Sequence, residues 1–203
     1  MEDRARRIVE TAIELAERGG FEAVRLRDVA AHAGVALGTV YRRFRGKGDL
    51  LLAALEQLVS VHEAELARHP ARGDTALARV TSFFESTTDT LCSRPNLARA
   101  VLRAIATGEP ELTQKVAAFH TLVEEMVTAA LRGAAVPRVR APSEQERALA
   151  FVLQQVWFAS LIGWASGLHG RSVIVEQVAT AAGLLLRAGT SPDGEAEKRV
   201  LRS

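Results

Sequence analysis

The sequence predicts an all-α chain: a small N-terminal helical module followed by a larger helical one, about nine helices in all. Three observations carry this. Ala, Leu, Arg and Glu dominate the composition, and all four favour helix. Apolar residues recur at helical spacing along most of the chain, and the strict alternation of a half-buried strand is nearly absent. With 48% apolar residues in 203, the chain has enough material for a sizeable core.

In order, residues 4–18 carry Ile8, Ala12, Leu15 and Ala16 on one face, and Gly19-Gly20 ends that first helix. Phe21 and Val24 then anchor the chain to the small core. Leu26, Val29, Ala30 and Ala33 form the stripe of a short second helix, which Gly34 closes because glycine tolerates the left-handed conformation of a tight turn. Val35 plugs the corner, and Val40, Tyr41 and Phe44 are expected to give a third short helix its buried face. A long helix follows to about residue 68, with Asp49 near its positive N-terminal end, and residues 69–74 make a loop rich in turn formers. Further helices are expected over 75–92, 95–107 and 111–132, then a loop over 133–142. Ser143-Glu144-Gln145-Glu146 is a capping-box signature for a helix reaching about residue 167, and a last helix covers about 172–188. A polar tail, 189–203, is expected to be flexible.

Two short helices at an angle, with small and basic residues left outside, form the shape of a helix-turn-helix over residues 25–44. Charge agrees. Residues 25–47 hold six basic side chains and one acid, and residues 51–203 hold equal numbers of each sign. The excess positive charge of the whole chain is thus concentrated around the second motif helix, as phosphate binding requires.

The blocks Gly20-Phe21-Glu22-Ala23-Val24, Arg27-Asp28-Val29-Ala30, Ala33-Gly34-Val35, Gly38-Thr39-Val40-Tyr41-Arg42-Arg43-Phe44 and Lys47 with Asp49-Leu50-Leu51 resemble, in order and spacing, the DNA-binding domain of the TetR family of bacterial transcriptional regulators. Arg25 and Ala36 depart from that pattern. Both are helix N-cap positions where the family usually has Ser or Thr, and a missing cap typically costs ~1 kcal/mol. The resemblance implies that Thr39, Tyr41 and Lys47 touch phosphates. Arg42 and Leu37 suit base readout, against a phosphate-only role for Arg42, while Gly38 permits close approach. Arg25 and Arg27 are expected to grip backbone, and Arg4, Arg6 and Arg7 form a solvated terminus or a short basic arm.

The resemblance further implies a cavity for a hydrophobic small-molecule effector in the larger module, lined by Phe83, Phe84, Thr87, Leu102, Phe119, Met126, Trp157 and Leu161. Arg99 and Arg103, at i, i+4, are available to clamp an acidic group, although a solvated face explains them as simply; Asn96, His120 and Gln155 are further polar candidates. The stretch FVLQQVWFASLIGWASGL is apolar nearly all round and so is expected to be buried on more than one side. Ala159, Ser160, Gly163 and Trp164, with Val178, Ala182 and Leu185 on the next helix, are expected to form half of a homodimer interface, against a core within one subunit. Two stretches, LRDVAAHAGVALGTVYRRF and VWFASLIGWASG, are similar to the actinobacterial sterol-catabolism subgroup, which implies a steroid-type acyl-CoA ligand.

An enzyme reading finds little support. No phosphate-binding, dinucleotide, nucleophile-elbow or zinc-protease motif is present, and the five histidines lack metal-ligand spacing, so no metal and no cofactor are expected. His62 and Glu65 share a helix face and read as a solvated pair. The single Cys92 fits a reducing cytoplasm. No apolar run of membrane-spanning length is expected, and the charged start MEDRARRIVE does not read as a signal peptide. The domains expected are a DNA-binding domain over 1–47, a connecting helix over 48–69 and a ligand-binding and dimerisation domain over 74–188. The function implied is a ligand-responsive regulator, most simply a repressor, that binds double-stranded DNA at a palindromic operator. A regulator of multidrug efflux and a helical carrier or enzyme with a vestigial head are the alternatives.

Overall fold

The computed structural model describes residues 2–133 and 141–188. The expected tail over 189–203 and most of the expected loop over 133–142 lie outside the described residues. Among those described there are nine α-helices, one 3-10 turn and no strand. The helices are α1 (Glu2–Ala23), α2 (Leu26–Ala33), α3 (Leu37–Arg43), α4 (Lys47–Arg68), α5 (Ala76–Cys92), α6 (Pro95–Ala106), α7 (Thr113–Arg132), α8 (Glu144–Ala165) and α9 (Arg171–Ala188), with the 3-10 turn at Pro110–Leu112. The break expected at Gly19-Gly20 is present as a kink inside α1, where Gly20 has φ +65°.

The chain packs as two compact units, one from Met1–Glu65 and Asp89–Leu122, the other from Leu66–Thr88 and Val123 onward. This differs from the expected boundaries at residues 47 and 69. The reason lies in α1, which buries Ile8, Val9, Ala12, Ile13, Leu15 and Ala16 and packs its apolar side against α6 as well as α2. A stripe that wide needs two partners, and α6 supplies Leu97, Ala100, Val101 and Ala104 to the same core as Val29, Val40, Phe44 and Leu50. Polar contacts reinforce the joint. Asn96 Nδ2 donates to the Glu17 carbonyl at 2.8 Å, and Glu17 Oε2 accepts the Leu97 N–H at 3.2 Å, placing an acid at the positive end of α6. Asn96, an expected polar candidate for the effector, thus makes a contact within this joint.

The first turn of α4 is held from the same side. Asp49, 7% exposed, accepts the Arg45 N–H at 2.9 Å and pairs with Lys115 of α7 at 2.6 Å. A Cβ at Gly48 would lie 2.8 Å from Leu112 Cδ1, so glycine is what lets the 3-10 turn approach α4 so closely. Further along α4, His62 corrects the expectation of a solvated pair. It is buried, with Nδ1 3.2 Å from the Thr90 hydroxyl and 4.0 Å from Glu65, and burial pushes its imidazole below the usual value.

In the second unit, Arg79 donates to the carbonyls of Ala130 and Leu131 at 3.0 and 2.7 Å, satisfying the last turn of α7. The capping box at the start of α8 is formed: Glu146 N–H donates to Ser143 Oγ, and Ser143 N–H to Glu146 Oε2. Arg132 grips the same carboxylate at 2.6 and 2.7 Å, and these donors hold Glu146 at about 2. Helix α8 also corrects a reading of the sequence. By length and composition alone it is long and apolar enough to cross a membrane. Its inner side buries Leu153, Trp157, Leu161 and Trp164 within the unit, while Phe151 and Val152 are exposed on another side. Apolar character on two sides is what raised the average.

Candidate nucleic-acid interface and apolar core

The turn between α2 and α3 is built from its backbone upward. Gly34 sits at φ +65°, ψ 37°, its N–H bonding back to Ala31 and the Val35 N–H to Ala30 at 3.0 Å. This paired closure satisfies two end carbonyls and fixes the angle at which α3 leaves. Neither α2 nor α3 has a side-chain cap: Arg25 and Ala36 occupy the N-cap positions with extended backbones and no cap hydrogen bond.

Helix α3 is anchored by Val40 and Phe44, 0% and 6% exposed. Tyr41 corrects the sequence reading, which placed it on the buried face with them. It is 58% exposed, because a seven-residue helix packed through Val40 turns the next position outward. Leu37 moves the other way: expected outside for base readout, it is half-buried and packs against the first unit's core. What α3 presents outward is Gly38, Tyr41 and Arg42 at i, i+3, i+4, with Arg43 alongside. A Cβ at Gly38 would meet nothing within 4 Å, so the fold itself does not demand glycine there. Thr39, half-buried, accepts from Arg42 Nη2 at 3.2 Å. Arg25 and Arg27 are exposed at the start of α2, and Arg6 is occupied locally by Asp3 at 2.9 Å.

Lys47 is engaged rather than free. Its ammonium lies 3.6 Å from Glu22 and 4.3 Å from the centre of the Phe21 ring. Arg103, expected as an effector clamp, meets the same pair. Its Nη2 is 2.9 Å from Glu22 and its guanidinium 4.4 Å from the Phe21 ring. Arg103 and Arg99 are both exposed, so neither is turned into an apolar cavity. The Glu22 and Arg103 contact was missed because no periodicity links residues 81 positions apart.

The remaining effector candidates divide between the units. Leu102 is buried, and Phe119 half-buried, in the first. Phe83, Phe84, Met126, Trp157 and Leu161 are all buried in the second. There Phe84 lies between two rings, 5.0 Å from Phe83 edge-on and 5.8 Å from Trp157. Thr87 is only half-buried, its hydroxyl donating to the Phe83 carbonyl. The polar partner inside this core is its neighbour Thr88, 0% exposed, which accepts from Trp157 Nε1 at 2.9 Å. Its place four residues after Phe84 was the available signal.

Of the expected dimer residues, Trp164, Val178 and Ala182 are buried within this subunit, so that part of the expectation is corrected: their side chains are already covered by this chain's own residues. Ser160 is buried too, bonding Val156 and Gln177. Ala159 and Gly163 line an open groove of about 660 Å³ along α8 and α9, and Leu185 is exposed. Leu168 and Leu184 also line it and are exposed, as are Phe151 and Val152 of α8.

Comparison with known proteins accounts for both parts of the chain. Residues 8–54 match the model of bacterial regulatory proteins of the tetR family, and residues 73–185 match that of the tetracyclin repressor-like C-terminal domain. The chain is 28% identical over 184 residues to the HTH-type transcriptional repressor KstR of Mycobacterium tuberculosis, covering 91% of this chain and 81% of that protein. To KstR of Rhodococcus jostii it is 28% identical over 188 residues, covering 93% and 85%. Among solved structures, a TetR transcriptional regulator from Rhodococcus sp. RHA1 superposes with a TM-score of 0.79 at 25% identity, covering 92% of this chain and 98% of that one. FadR of Thermus thermophilus, solved with lauroyl-CoA, has the same fold at a TM-score of 0.70 and 21% identity, covering 90% and 93%. With the helix-turn-helix and the C-terminal domain both matched, the chain belongs to the TetR family of bacterial transcriptional regulators.

Proposed function

We propose that this regulator is a repressor whose homodimer sets two α3 helices into successive major grooves of a palindromic operator, and that a hydrophobic effector releases it. The observation that carries the reading is the outward face of α3. Gly38, Tyr41 and Arg42 project from a helix fixed by Val40 and Phe44, in a segment with five positive charges in excess. A planar guanidinium pairs with guanine, a phenol reaches a phosphate, and glycine leaves room for both. Thr39, Lys47, Arg25 and Arg27 contribute phosphate contacts around that face.

A second copy is the partner that fits the α8–α9 surface. Phe151, Val152, Leu184 and Leu185 are apolar and exposed, and one helix-turn-helix alone seldom reads a site tightly. The effector's place is the aromatic core of the second unit, where Phe83, Phe84, Met126, Trp157 and Leu161 suit an apolar body and Thr88 offers a hydroxyl. Acyl-CoA thioesters of lipid or steroid type are the class the sequence resemblance implies, and cytoplasm is where they meet an operator. Ligand and operator each favour a different spacing of the two heads, and α4, with residues in both units, links them.

The test begins with selection of bound DNA from a random pool. A recovered palindrome supports a dimeric reader. Binding to that duplex is then measured with and without a steroid-type acyl-CoA and lauroyl-CoA. A thioester that binds tightly yet leaves operator affinity unchanged sinks the release mechanism.

A further inference from the structure

Lys47 and Arg103 come from different parts of the sequence, the start of α4 and the last turn of α6, yet they share one ring and one carboxylate. Each lies within 4.4 Å of the centre of Phe21, so the two cations are at most about 9 Å apart. Glu22 bridges them, one oxygen 2.9 Å from Arg103 and the other 3.6 Å from Lys47. All four residues belong to the compact unit that also holds α3. We propose that Lys47 and Arg103 form a two-cation site for the DNA backbone, that Glu22 occupies it in the free protein, and that a DNA phosphate displaces Glu22, making Arg103 a phosphate contact from outside the helix-turn-helix. The proposal rests on the reading of α3 as the DNA-reading helix.

The geometry favours exchange. The side chain of Glu22 is 69% exposed and that of Arg103 57%, so the carboxylate swings into water without uncovering any core. Phe21 stays behind, its ring in contact with both cations. An exposed carboxylate binds such a pair weakly and is screened by salt. A phosphate on a duplex gains charge-assisted hydrogen bonds and releases condensed counterions, so it wins the competition. The chemistry recognised is the phosphodiester alone. Glu22 thereby lowers affinity for every sequence by a common factor and leaves discrimination to α3.

The experiment is a fluorescence titration of two labelled duplexes, the selected operator and one of random sequence, from 50 to 300 mM salt. Glu22→Gln keeps the size of the side chain and removes its charge. It is expected to tighten binding to both duplexes by the same factor, about three- to tenfold at the lowest salt, with the gain shrinking as salt rises. Arg103→Gln is expected to weaken both by a similar factor and to cancel most of the gain in the double variant. A purely structural bridge gives the opposite sign: Glu22→Gln would melt earlier and bind more weakly. That outcome, or unchanged binding in Glu22→Gln or in Arg103→Gln, overturns the proposal. Tyr41→Ala separates the two levels. If it loses binding while the Glu22 and Arg103 variants match wild type, only the phosphate exchange falls. If it binds as wild type does, or if wild type binds neither duplex, the reading of α3 falls, and the exchange with it.

Discussion

Tyr41→Ala separates reading from folding on α3. Tyr41 is 58% exposed, next to Val40 at 0%. Truncating an exposed side chain changes stability by less than about 0.5 kcal/mol, a shift in Tm of about 2 °C or less for a chain of this size. A hydrogen bond to a charged acceptor contributes ~1.5 kcal/mol or more, and the proposed dimer makes the contact twice, so operator affinity is expected to fall by about a hundredfold. Val40→Ala is the control with the reverse profile. It opens the anchor of α3, costs ~2 kcal/mol and lowers Tm by about 4–8 °C. The assay pairs thermal unfolding with operator titration for both variants. If Tyr41→Ala melts as early as Val40→Ala, the tyrosine is part of the packing. If its Tm and affinity both match wild type, it does not touch DNA. Either result refutes the argument.

Ala36→Ser supplies the cap that α3 lacks and is expected to add ~1 kcal/mol, read as a rise in Tm of about 2–4 °C. Thr88→Val keeps the shape of the second unit's core but leaves Trp157 Nε1 without its acceptor; a loss of about 1–3 kcal/mol in denaturant unfolding is expected. His62 makes stability depend on pH. Its folded value lies below the unfolded one, so the unfolded chain binds more protons as pH falls through about 6.5, and stability present above that pH is lost below it. Unfolding midpoints at pH 7.5 and 5.5 are expected to show this drop, and His62→Gln to flatten it.

Much of the helix layout was legible because its signals are local. Gly34 stops α2 by backbone conformation, Ser143 and Glu146 announce α8 by reciprocal capping, and Arg25 and Ala36 declare missing caps by their chemistry alone. Each needs only neighbours within one helical turn. Tyr41 was misjudged because a short helix gives too few positions to fix the centre of its apolar stripe, and Leu37, at its start, was misplaced for the same reason. The stripe on α1 was visible, but not that α6 takes part of it, since a sequence pattern names a face and not what covers it. The dimer residues show the same limit on α8 and α9. Both helices have two apolar sides, and composition does not say which side Trp164, Val178 or Ala182 occupies.

The sharing of a core by α1, α2, α3 and α6 bears on how this regulator can be recombined with others. A chimera that grafts only the first 50 or so residues onto a foreign ligand-binding domain would leave the buried side of α1 against an unrelated α6. It would also strip Asp49 of Lys115, and with it the grip on the Arg45 N–H just beyond α3. A transplant that keeps the operator preference must therefore carry residues 89–122 with the head, and the seams belong within α4, α5 and α7 rather than after α3.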